Sequence, residues 1–223
     1  MTKVEGKRWI ERCGVIAVIR ASSSQQLIDV AAAIKEGGVD VIEVTMTIPD
    51  ALKVIEAVRA KYGDEVYLGV GSVLDGETAR AAMLSGAEFI VSPVVKPDVI
   101  EMCNRYGKIV MPGALTPTEI LDAWERGADY VKVFPASIVG PGYIKAVKAP
   151  LPQVELIPTG GVNVENAADF IKAGATALGV GGALVSKKAI AERNFDLLTE
   201  TARQLVEAVR NARREMNDLA HSR

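Results

Sequence analysis

Eight short apolar runs recur along this chain, each followed by a segment of different periodicity, and that alternation constrains the fold more than any other feature. The runs are "VIAVIR" (15–20), "VDVIEVTM" (39–46), "VYLGVGSV" (66–73), "AEFIVSP" (87–93), "IVMPGAL" (109–115), "YVKVFPA" (130–136), "ELIPTGG" (155–161) and "ALGVGGALV" (177–185). They are rich in β-branched residues and apolar on both parities, the pattern of strands buried on both faces of a parallel sheet. Segments between them, such as "SQQLIDVAAAIKEGG", "DALKVIEAVRAKYG" and "VENAADFIKAG", repeat apolar residues every three or four positions, as on one helical face. Most end in glycine, the usual C-terminal cap, and Asp50, Asp75, Thr116 and Asn163 stand where N-caps belong.

Eight strand-then-helix units of about 25 residues match a (β/α)8 TIM barrel in count and length. An open doubly wound sheet is the rival, because strand count alone does not prove closure. No linker or low-complexity stretch divides the chain, so residues 1–223 are expected to form one α/β barrel domain. Residues 1–14 read as an extra N-terminal helix over the barrel's base. The polar stretch 211–223 reads as a helical tail that frays.

Composition removes several functions. A net charge of −2 over 223 residues gives no basic surface for nucleic acid or an anionic membrane. No apolar run approaches the roughly 18 residues of a membrane span. The opening "MTKVEGKRWIERCG" lacks the apolar centre of a signal peptide, so the cytoplasm is the expected location. Cys13 and Cys103 are far apart, in no metal-ligand spacing, and expected to be reduced.

Active sites of such barrels lie at the C-terminal ends of the strands. Glu88, Lys108 and Glu155 open their runs and belong at the base. Glu43 and Lys132 lie well along theirs, each between apolar neighbours. Either alone is an expensive buried charge. Together, in a closed barrel, they can face one cavity. A lysine in such a pocket suits imine chemistry, whose nucleophile is the neutral amine that desolvation favours. Condensed with a ketone it becomes an electron-drawing iminium, and Glu43 is the candidate acid and base beside it. The only histidine, His221, lies in the tail. The alternative is a structural Lys132–Glu43 ion pair, a weak source of stability.

"PTGG" (158–161) closes the seventh run and "GVGG" (179–182) lies in the eighth. Loops after these strands form the usual phosphate site of the fold, because glycines let backbone N–H groups approach an anion. Neither stretch matches a dinucleotide fingerprint or a Walker loop.

"GGVDVIEVTM", "GVGSV", "FIVSP", "MPGALTPTE", "VKVFPAS", "PTGGVN" and "GVGGALV" occur in the order seen in the 2-keto-3-deoxy-6-phosphogluconate (KDPG) and 4-hydroxy-2-oxoglutarate (KHG) aldolases, and from about Val15 to Val185 the chain resembles that family. The resemblance implies a class I aldolase that needs no metal and no cofactor. It would release pyruvate from a 2-oxo-4-hydroxy acid and leave an aldehyde such as glyceraldehyde 3-phosphate or glyoxylate. It puts the Schiff-base lysine at Lys132 and the acid–base glutamate at Glu43. Arg20 would hold an anionic group and Ser72 would donate to the pyruvate carboxylate. Thr45, Pro93, Phe134 and Thr159 complete the substrate contacts, and Gly160, Gly161, Gly181 and Gly182 form the phosphate site. The family is commonly trimeric, so a homotrimer is implied.

Two positions depart from many relatives. Thr47 stands where they carry arginine, and Gly182 where they carry serine. A charge-assisted contact is worth roughly 1.5–3 kcal/mol, enough to turn preference toward a smaller or unphosphorylated acid. A phosphosugar isomerase or synthase on the same barrel and a catalytically idle assembly subunit are the other readings.

Overall fold

Alternating strands and helices fill the computed structural model, which describes residues 1–20 and 23–221, without the side chains of Ala220 and His221. The only histidine side chain therefore lies outside the described part. The strands are β1 (Val15–Ile19), β2 (Val41–Thr45), β3 (Tyr67–Gly71), β4 (Phe89–Val91), β5 (Ile109–Met111), β6 (Gly113–Ala114), β7 (Val131–Val133), β8 (Leu156–Pro158) and β9 (Leu178–Val180). All their residues are buried, as runs apolar on both parities require. The helices are α1 (Lys3–Cys13), α2 (Ser24–Glu36), α3 (Ala51–Tyr62), α4 (Gly76–Leu84), α5 (Pro97–Arg105), α6 (Pro117–Glu125), α7 (Gly140–Lys148), α8 (Ala167–Lys172), α9 (Lys187–Ala191) and α10 (Phe195–His221).

The strands form a curled parallel sheet in two hydrogen-bonded parts, ordered β5-β4-β3-β2-β1-β9 and β6-β7-β8. The expected fifth strand is thus two short ones. Pro112, between them, has no N–H to give a ladder. Before it β5 pairs with β4; after it β6 pairs with β7. Across one seam the Tyr130 N–H reaches Val110 O at 3.4 Å, and across the other Thr159 bridges to Gly179. Several strands end sooner than their apolar runs. "FPA" after β7, "TGG" after β8 and "GGALV" after β9 are connections, so the runs merged strand with C-terminal loop.

The N-terminal helix is present and covers the strands' N-terminal ends. It starts with a Thr2–Glu5 capping box and ends at Gly14 in the left-handed region (φ 73°). At Gly6 the helix lies so close to the sheet that a methyl would sit 2.2 Å from Tyr67 Oη. Tyr67 opens β3 and stacks against Trp9 and Phe89. At this base Lys108 Nζ donates to Glu88 at 2.7 Å, pairing two charges that open their runs.

Caps follow the expectation in part. Asp75 accepts from the Thr78 N–H, and Thr116 forms a capping box with Glu119. Thr116→Ala is expected to cost about 1 kcal/mol, read as a lower urea midpoint at unchanged slope. Asp50 precedes α3 but is left-handed (φ 52°), caps nothing and pairs with Lys53. Asn163 lies a turn before α8, bonded reciprocally to Asn166. The C-terminal stretch also departs from expectation. Leu205, Val209 and Ala212 continue a helical stripe into the core, and Arg213 donates to Glu11 O and Thr176 O. Lys172 then pairs with Glu215 at 2.7 Å, so α10 is docked as far as Glu215, into the first part of the stretch expected to fray.

Cys13 and Cys103 are free and buried. Burial pushes the first thiol up to about 11 and the second to about 12, so neither is a nucleophile at neutral pH. Among the described residues no helix is long and apolar enough to cross a membrane.

Candidate active site

A cavity of about 410 Å³ opens at the C-terminal ends of the strands. That volume suits a small organic acid. Its floor is set by two charged side chains that the sheet forces inward. Glu43 stands mid-way along β2, in register with Val18 of β1 and Gly69 of β3. Lys132 is central in β7, flanked by Gly113 and Ile157. They are 3% and 8% exposed, and both line the cavity.

Among the described residues the two make no ion pair or hydrogen bond, either with each other or with another side chain. The structural ion pair weighed from the sequence is therefore not their arrangement. Lys132 Nζ instead lies 5.2 Å from the centroid of the Phe134 ring, within cation–π range when charged. The backbone fixes its root, the Lys132 N–H donating to Pro112 O at 2.9 Å. An unpaired amine and an unpaired carboxylate facing one small cavity leave both groups open to a bound molecule.

The rim comes from loops. Arg20 and Ser72 follow β1 and β3, Pro93 follows β4, and all three line the cavity. Ser72 is left-handed (φ 62°), a conformation uncommon outside glycine and frequent at functional sites. Pro93 approaches closely because position 113 has no side chain; a methyl there would meet Pro93 O at 2.2 Å.

Thr159, Gly160 and Gly161 leave β8 along one wall, and Gly181 and Gly182 leave β9 beside them. Gly160 and Gly161 are consecutive left-handed residues (φ 91° and 74°). Among the described residues neither of their amides donates to a backbone carbonyl. Successive exposed N–H groups of this kind suit an anion. Asn166 Nδ2 braces the loop by donating to Gly161 O at 2.9 Å. Gly182 has open space around its missing side chain.

Thr45 is the one expected site residue outside the lining: it is buried, and its hydroxyl pairs with that of Thr47 at 2.8 Å. Conversely, Val18, Val162, Asn163 and Ala183 line the cavity without having been expected there. Asn163 was read as a cap, though its position two residues after the "TGG" loop is a signal that it belongs to the rim. Among the described residues no three His, Cys, Asp or Glu side chains group where a metal could sit.

A sequence model of the KDPG and KHG aldolases matches residues 7–201. The 2-dehydro-3-deoxy-6-phosphogalactonate aldolase of Escherichia coli K12 is 34% identical over 206 residues, 92% of this chain and 98% of that protein. The 2-dehydro-3-deoxy-phosphogluconate aldolase of Treponema pallidum is 35% identical over 202 residues, 90% and 95% of the two chains. Among solved structures, a KDPG aldolase from Legionella pneumophila superposes with a TM-score of 0.84 at 27% identity, covering 90% of this chain and 97% of that one. That structure holds pyruvate captured at low pH as a covalent carbinolamine intermediate.

Proposed function

This chain belongs to the KDPG and KHG aldolase family and is a class I aldolase, a carbon–carbon lyase, and we propose that its substrate is 2-keto-3-deoxy-6-phosphogluconate. The observation that carries the reading is the pair of unpaired groups, Lys132 and Glu43, buried on one cavity floor beside two glycine loops.

Lys132 is the Schiff-base lysine of this proposal. Its neutral Nζ adds to the C2 ketone, and loss of water gives an iminium that draws electrons from C3. Glu43 accepts the proton of the C4 hydroxyl as the C3–C4 bond breaks, leaving glyceraldehyde 3-phosphate and an enamine. Glu43 then returns the proton to C3, and water releases pyruvate from Lys132. Ser72 and Thr159 are suited to the carboxylate, Arg20 to an anionic group at the mouth, and Phe134 to packing against the imine. The bare amides of Gly160 and Gly161, with Gly181 and Gly182 beside them, would take the phosphate.

The phosphate end is tested by comparing substrates. kcat/KM for 2-keto-3-deoxy-6-phosphogluconate is expected to exceed that for 4-hydroxy-2-oxoglutarate. Gly182→Ser, which has room for the added hydroxyl, should raise it further, by at most about tenfold for one neutral hydrogen bond. Equal rates on both acids, with inorganic phosphate failing to inhibit, would move the assignment to 4-hydroxy-2-oxoglutarate, the acid that Thr47 and the missing serine favour.

We also read the curled sheet as a closed (β/α)8 barrel forming a single domain. What supports closure is the contact at both seams, Tyr130 to Val110 and Thr159 to Gly179. A homotrimer in the cytoplasm is the proposed state. Exposed Leu74, Val94 and Ile138 in the C-terminal loops are apolar surface a second copy could cover.

A further inference from the structure

We infer that Gly71 is a positioning residue for Glu43: the absence of a side chain at 71 is what sets the carboxylate where it can move protons. A methyl built on Gly71 would lie 1.8 Å from Glu43 Oε1, 2.5 Å from its Cδ and 2.9 Å from its Cγ. These are the three atoms it would meet first, so the glutamate side chain occupies the space that any other residue would fill. The backbone at 71 does not itself require glycine, since Gly71 is an ordinary residue of β3 and is not left-handed. The register explains the contact. Glu43 stands opposite Gly69, and Gly71 is the next residue on that face, one pleat toward the mouth. The glutamate therefore leans along β3 toward the cavity instead of across it.

No hydrogen bond fixes the carboxylate among the described residues, so its place depends on packing alone. Both of its oxygens stay available for a substrate hydroxyl or carbon acid. With alanine at 71 the side chain must swing away with its Cγ as well as its carboxylate. That movement displaces the proton-transfer group, while none of the three atoms the methyl meets first belongs to Lys132 on β7.

The proposal rests on Glu43 as the acid and base, and the experiment separates the two ideas. Gly71→Ala, Glu43→Gln and the double variant are assayed for borohydride trapping of pyruvate on Lys132 and for exchange of pyruvate methyl protons with deuterated water. Gly71→Ala is expected to trap pyruvate like the parent while exchange slows at least about tenfold, the effect of a misplaced catalytic group. On the Glu43→Gln background the same alanine should cost little further, since it has no base left to displace. Undiminished exchange in Gly71→Ala, or an equal loss on both backgrounds, would overturn the positioning role. If Glu43→Gln itself exchanges normally, the acid–base assignment fails first, and the Gly71 role fails with it. Should Gly71→Ala not fold, Gly71→Ala with Glu43→Ala decides. A folded double variant supports the steric slot, and an unfolded one overturns it.

Discussion

Lys132→Arg is expected to abolish pyruvate release, lowering kcat by roughly 10⁴-fold or more, the scale on which loss of a covalent nucleophile is felt. A guanidinium stays protonated at any working pH and cannot form the imine. Incubating the parent with pyruvate and borohydride should add a reduced pyruvate adduct to the peptide carrying Lys132, and the arginine variant should show none. The geometry makes the expectation sharp. Lys132 is 8% exposed and no carboxylate among the described residues pairs with it, so its Nζ, 5.2 Å from the Phe134 ring centroid, stays open to what enters the cavity. The position also permits the control. An unpaired lysine has no ion-pair partner to leave stranded, so the variant should keep its far-ultraviolet spectrum and melt within a few degrees of the parent. An adduct on a different lysine would remove the imine from this site. No adduct anywhere would favour an isomerase or synthase, or an idle assembly subunit.

How much of this was legible in the residues depends on the physics involved. Strand burial was readable because parallel strands sandwiched by helices are largely apolar on both parities, and all nine described strands are buried. Which strand residues face inward at the mouth was readable for Glu43 and Lys132, because a charge within an apolar run stands out. The split at Pro112 was open to reading, since proline cannot sustain a central ladder, but the flanking "IVM" and "GAL" concealed it. The strand ends were not legible. Phe134, Pro93 and the glycines extend apolar runs while belonging to loops, because apolar and small residues continue past the strand ends to line the cavity. Thr45 was carried by resemblance, and the structure pairs it with Thr47 instead of the cavity. Neither the left-handed Ser72 nor the lean of Glu43 over Gly71 leaves a trace in sequence. One is a backbone angle, and the other a contact between strands set by register.

Glu43→Gln is expected to separate binding from chemistry. Glutamine keeps the shape over Gly71 and the burial of the parent side chain, but it can neither accept nor return a proton at neutral pH. Turnover should fall by about 10²–10⁴, the usual worth of general acid–base catalysis. The Lys132 adduct with pyruvate should still form, because adding an amine to a ketone needs no carboxylate to hold the acid in place. Exchange of pyruvate methyl protons with deuterated water is the decisive reading, since it needs the enamine and a base but no aldehyde. It should slow in step with cleavage. A variant that exchanged protons at the parent rate would remove Glu43 from the mechanism and point to water or another group as the base. A variant that lost the adduct as well would make Glu43 a partner in imine formation. Among the described residues no bond joins Lys132 and Glu43, which favours separating adduct formation from proton transfer. The amine is already free of the carboxylate, and the two meet only through what they bind.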